Sequence, residues 1–103
     1  MISQDEIDKI VETIKIRVKP NKIYLFGGYA MGKATNFSDL DLLVIDDSNR
    51  DKKKLALEIS KSLFPRKFGL DLIVTSSEDL KKKRRLNFWQ EITEKGKILY
   101  DGK

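Results

Sequence analysis

The run Leu40-Asp41-Leu42-Leu43-Val44-Ile45 constrains this chain more than any other segment. Its apolar residues fall at both odd and even positions, so a strand formed here is buried on both faces. The segments around it supply the covering layers. Ile7, Ile10, Val11, Ile14 and Val18 recur at helical spacing and make one apolar stripe. Ahead of them Ser3 and Glu6 spell a capping box, with Ile2 and Ile7 placed as a hydrophobic staple across it. Pro20-Asn21 ends that helix, and Lys22 to Phe26 is a short strand that runs directly into Gly27-Gly28. Asp51 to Phe64 reads as a helix carrying Leu55, Ile59 and Leu63, stopped before Pro65. Leu70 to Val74 is a third strand. Ser76 or Ser77 then caps one helical stretch anchored by Leu86, Phe88, Trp89 and Ile92. Gly96 closes that stretch, and Lys97 to Tyr100 forms a last strand. The order α-β-α-β-α-β-α-β predicts an α/β fold of α+β type, a small mixed sheet with helices packed on it. At 103 residues the chain has room for one hydrophobic core, so a single domain over 1–103 is expected.

The composition removes whole classes of chemistry. There is no cysteine, which excludes disulfides and thiolate metal sites. There is no histidine, which excludes imidazole bases, Ser-His-Asp and Cys-His catalysis, and most zinc sites. No segment approaches the roughly 18 apolar residues of a membrane span. The opening Met1-Ile2-Ser3-Gln4-Asp5-Glu6 lacks the basic end and apolar stretch of a secretory signal, so a cytoplasmic location is expected. Chemistry is left to carboxylates, lysines, hydroxyls and backbone amides.

Asp39 and Asp41 sit two apart at the mouth of the doubly buried strand, a spacing that turns both side chains to one face. Two unpaired carboxylates so close repel unless a cation lies between them. Magnesium prefers one or two carboxylates plus phosphate oxygens, which suits this pair. Asp71 is a single acid inside the apolar run Leu70 to Val74, and a buried lone carboxylate needs a partner. With the third strand beside the second, Asp71 completes a three-carboxylate cluster able to hold metal. The glycines Gly27 and Gly28, set directly after a strand, let the backbone approach a ligand closely.

Taken together, Leu25-Phe26-Gly27-Gly28-Tyr29-Ala30-Met31-Gly32, then Ser38-Asp39-Leu40-Asp41-Leu42, then Leu70-Asp71-Leu72, resemble the minimal nucleotidyltransferases of the DNA polymerase β-like superfamily. That family's pattern is Gly-Ser, ten residues, then Asp-x-Asp, with a third Asp on a later strand. Residues 29 to 38 are the matching ten between Gly28 and Asp39. The resemblance implies that Asp39, Asp41 and Asp71 carry catalysis and bind Mg2+ or Mn2+. It gives Gly27 and Gly28 the triphosphate, ATP by expectation. It implies transfer of a nucleoside monophosphate, AMP by expectation, to a hydroxyl acceptor. Members often act with a helical toxin-like partner of the HEPN class, and some are antitoxins that adenylylate it. A homodimer or such a partner is expected, because so small a chain provides few walls for a nucleotide. Two positions depart from the pattern. Gly28 stands where the family usually has Ser, and Met31 where an Arg is common. The alternative is therefore a catalytically weak or inactive binding module that masks a HEPN-like partner.

Other signals compete less well. Gly27 to Lys33 approximates a P-loop, but residue 34 is Ala and lacks the magnesium-binding hydroxyl. Lys81-Lys82-Lys83-Arg84-Arg85, with Phe88 and Trp89 nearby, has the composition of a nucleic-acid contact. The favoured reading is a solvated helix face with Phe88 and Trp89 in the core, since helical charge runs usually face water.

Overall fold

The computed structural model describes residues 1–102. The chain runs α1 (Gln4–Val18), β1 (Lys22–Phe26), α2 (Gly27–Ala30), β2 (Leu40–Ile45), α3 (Lys52–Ser62), β3 (Leu70–Thr75), α4 (Ser77–Lys83), α5 (Asn87–Lys95) and β4 (Lys97–Asp101). The strands form one sheet in the order β3-β2-β1-β4. β1 pairs antiparallel with β2 and with β4, while β2 and β3 run parallel through the α3 crossover. The sheet is mixed, as expected.

Local chemistry accounts for the elements. Ser3 accepts from the Glu6 amide and the Glu6 carboxylate accepts from the Ser3 amide, completing the capping box of α1. The Asp51 carboxylate caps α3 and the Ser76 hydroxyl caps α4. The stretch expected as one helix after Ser76 is two, α4 and α5, separated by a tight turn in which the Leu86 amide bonds the Lys83 carbonyl. Three lysines end the first of these helices and two arginines follow it, and neither Leu86 nor Phe88 is buried. With no apolar side to dock there, the helix stops.

Strand β2 is the hinge of the packing. Leu40, Leu42 and Val44 point to one face, where they join Ile7, Ile14, Ile23, Leu25, Leu55 and Ile59 under α1 and α3. Leu43 and Ile45 point to the other, against Phe26, Ile92 and the flank of Trp89 under α4 and α5. Both faces of β2 are covered, as its sequence demands. At its far end Asp46 is 2% exposed and pairs with Arg50 at 2.8 Å and Lys52 at 3.0 Å. Arg50 also donates to the Val18 carbonyl, tying the end of α1 to the entry of α3. Among the described residues no helix is long and apolar enough to cross a membrane.

Candidate active site

The carboxylates gather at the opposite end of β2, on its α4/α5 face. Parallel register sets Asp41 directly beside Asp71, and antiparallel register sets Phe26, the last residue of β1, on its other side. A cavity of about 290 Å³ opens over the pair. Gly27 and Met31 bound it on one side, and α5 on the other with Phe88, Glu91, Ile92 and Lys95. These four fall at positions i, i+3, i+4 and i+7, one face of the helix. Lys95 is the cation of this lining and makes no ion pair among the described residues.

Asp71 is exposed rather than buried. It lies on β3, the edge strand, where the cavity admits water to its side chain, so it needs no buried partner. Asp41 carries the electrostatic strain instead. Burial, then the neighbouring charges of Asp71 and Asp39, push its carboxyl up to about 6. Asp39 lies just before β2 begins, and strand alternation does not govern it. Its carboxylate rests over Gly69, where any Cβ would overlap it, and it borders a second cavity with Tyr29 and Phe68. The structure thus sets Asp41 and Asp71 side by side, with Asp39 close enough for its charge to act on Asp41 but turned toward Gly69. Among the described residues no three His, Cys, Asp or Glu side chains converge tightly enough to hold one ion. The Asp41–Asp71 pair alone meets the one or two carboxylates that magnesium takes alongside phosphate oxygens.

The two turn glycines differ. Gly27 adopts φ +72°, and a Cβ there would overlap the Asp41 carboxylate. It makes room for that side chain. Gly28 lies outside the left-handed region, and its Cβ would meet the Ala34 backbone at 3.5 Å and the Lys33 carbonyl carbon at 3.8 Å. It does not line the carboxylate cavity. The P-loop likeness fails on geometry as well, since only the four-residue α2 follows β1.

Sequence reasoning missed Lys95, Glu91 and Phe88 as cavity residues. The available signal was their shared helix face, but nothing local says which way α5 docks.

A family model described as polymerase beta nucleotidyltransferase matches residues 8–103. The chain belongs to that nucleotidyltransferase family. A provisionally named protein adenylyltransferase of Methanocaldococcus jannaschii is 35% identical over 88 residues, 84% of each chain. Two solved structures share the nucleotidyltransferase's fold. One, from Sulfolobus solfataricus and provisionally assigned as a nucleotidyltransferase, has TM-score 0.63 at 16% identity, covering 92% of this chain and 77% of its own. The other is a toxin–antitoxin structure with AMP-PNP, with TM-score 0.62 at 26% identity, covering 91% and 72%. The family model and the archaeal relative agree on nucleotidyl transfer.

Proposed function

We propose that this nucleotidyltransferase transfers AMP from ATP to a hydroxyl on a helical partner protein, using Mg2+ or Mn2+ held by Asp41 and Asp71 with Asp39 beside them. The observation that carries the reading is the strained Asp41 carboxyl, desolvated and flanked by like charges beneath an open cavity. Such a group is stabilised by a cation rather than by the protein itself. When bound, the divalent ion supplies positive charge to the triphosphate and to the attacking oxygen. The chain's own residues do the rest. Gly27, without a side chain, leaves the rim of the cavity open to the phosphates, and Gly28 extends that turn. Lys95 offers a charge to the phosphates from the far wall, in the absence of an arginine at position 31. The acceptor oxygen bonds to the α-phosphorus as the bond to the bridging oxygen breaks, and pyrophosphate leaves with the electron pair. The hydroxyl proton passes to the exposed Asp71. The toxin–antitoxin relative and the adenylyltransferase name of the archaeal relative support a protein acceptor. Dependence on ATP fits a cytoplasmic setting. A homodimer is the other source of the missing walls.

The test is transfer of label from α-labelled ATP, with magnesium, to material that co-purifies with the protein. Label on a protein band, lost in Asp41→Asn, is the expected result. A second reading rests on Gly28 and Met31, each of which lacks a polar group at its position: the fold masks its partner without turnover. Tight partner association with no label transferred and no pyrophosphate released would favour that masking role.

A further inference from the structure

A cavity of about 630 Å³ lies away from the carboxylates. Tyr24 of β1 and Leu80 of α4 line it, and Lys81, Arg84 and Arg85 stand around it. Helix α5 is the wall common to both cavities. It turns Gln90 and Glu94 toward this one and Phe88 and Lys95 toward the carboxylates. Residues 81–85 are all exposed, as expected of a solvated face, and Lys81, Arg84 and Arg85 also border this cavity.

Three features of this cavity point to one ligand chemistry. Lys81, Arg84 and Arg85 make no ion pair among the described residues, and Glu94 is the one acid in the lining. Like charges gathered around one concavity repel each other until an anion enters. Two of the three are arginines, whose planar fork matches phosphate oxygens in pairs. An aromatic ring and an aliphatic side chain are offered alongside the cations, and the volume falls within the roughly 300–1,000 Å³ of ligand sites. Cations along a groove with an aromatic surface to stack on is the arrangement that holds single strands without reading sequence. An acidic protein surface would meet the cations and leave the Tyr24 concavity unfilled; a base fills it.

We propose that the cavity between α4 and α5 binds single-stranded nucleic acid, with Lys81, Arg84 and Arg85 on phosphates and a base against Tyr24. The site needs neither metal nor triphosphate, so it stands or falls apart from the transfer reaction.

Fluorescence anisotropy with a short labelled single-stranded oligonucleotide, without metal or nucleotide, tests it. Across about 50–200 mM salt the logarithm of affinity should fall with a slope of about −2, since each neutralised phosphate contributes about −0.7. Arg84→Gln with Arg85→Gln should bring the slope toward about −0.7 and weaken binding about tenfold or more. Tyr24→Leu should weaken binding by about fivefold or more with the slope unchanged, while Tyr24→Phe, which keeps the ring, binds normally. Lys53→Gln with Lys54→Gln, the same charge loss on α3 across the sheet, should change little. Equal loss in the α3 variant, or no loss in the arginine variant, would overturn the proposal. So would Tyr24→Leu binding like wild type, or labelled polyglutamate binding as tightly as the oligonucleotide.

Discussion

Replacing Gly27 and Gly28 in turn by alanine tests the geometry of the site without removing a charged group. At Gly27 the backbone is left-handed, φ +72°, where an alanine costs about 1–2 kcal/mol. Its Cβ also falls on the Asp41 carboxylate, which must then move. At Gly28 the backbone angle is an ordinary one, and the nearest atom to a new Cβ is the Ala34 Cα at 3.5 Å, normal van der Waals contact. There alanine stabilises by about 0.4–1 kcal/mol, because it restricts the unfolded chain. The two variants should therefore differ by about 2 kcal/mol or more. For a domain of this size that separates their Tm values by roughly 8–16 °C, with Gly27→Ala the lower. Thermal unfolding followed by circular dichroism in metal-free buffer measures it. Gly27→Ala melting level with Gly28→Ala would mean that Gly27 neither needs the left-handed angle nor shelters the Asp41 carboxylate.

Asp41→Asn should stabilise the metal-free protein at pH 8 by about 1 kcal/mol, since a carboxyl raised to about 6 makes its ionised form unfavourable in the fold and water at the cavity screens part of that cost. The wild type should lose that stability as pH rises from about 4 through about 6, and the variant should not; chemical unfolding across that range checks both. Asp46 behaves oppositely. Burial opposes its charge, but Ser48, Arg50 and Lys52 outweigh burial and hold its carboxyl to about 2. It should contribute about 2 kcal/mol above pH 4, lost as pH falls through about 2, and Asp46→Asn should remove this part of the acid transition in a pH melt. Lys95→Met should raise the KM for metal-ATP about tenfold or more through loss of a charge-assisted phosphate contact, with Lys95→Arg largely restoring it; unchanged steady-state kinetics in Lys95→Met would take that residue out of the site.

What could be read from the chain is what neighbours in sequence decide. The capping box at Ser3 and Glu6 and the double burial of Leu40 to Ile45 depend on spacing alone, and each is present in the fold. The pairing of Asp41 with Asp71 needed one further assumption, that β3 lies beside β2, and it does. Other properties depended on partners far along the chain. Asp71 is exposed because β3 is an edge, and nothing within Leu70 to Val74 encodes strand order. The Asp39 carboxylate lies against Gly69, thirty residues on, a contact that no local spacing encodes. Lys95 reaches the cavity only through the docking of α5. The basic run is exposed as expected, but the cavity beside it is completed by Tyr24 from β1, more than fifty residues earlier, which no local pattern encodes.

An acid stands near each end of strand β2, Asp41 within it and Asp46 just beyond it, five positions and about 16 Å of extended backbone apart. The two live under opposite electrostatic regimes. Asp46 is fully answered by Arg50 and Lys52 and clamps α1 to α3, whereas Asp41 is left wanting a counter-charge. Between them lie Leu42 to Ile45, all buried, a stiff rod with no room to slide. Robustness and reactivity are thereby placed at opposite tips of one lever. Changes around the Asp46 clamp tune how firmly the chain holds together, while changes around Gly27 and Asp71 alter what it accepts, and neither set need disturb the other.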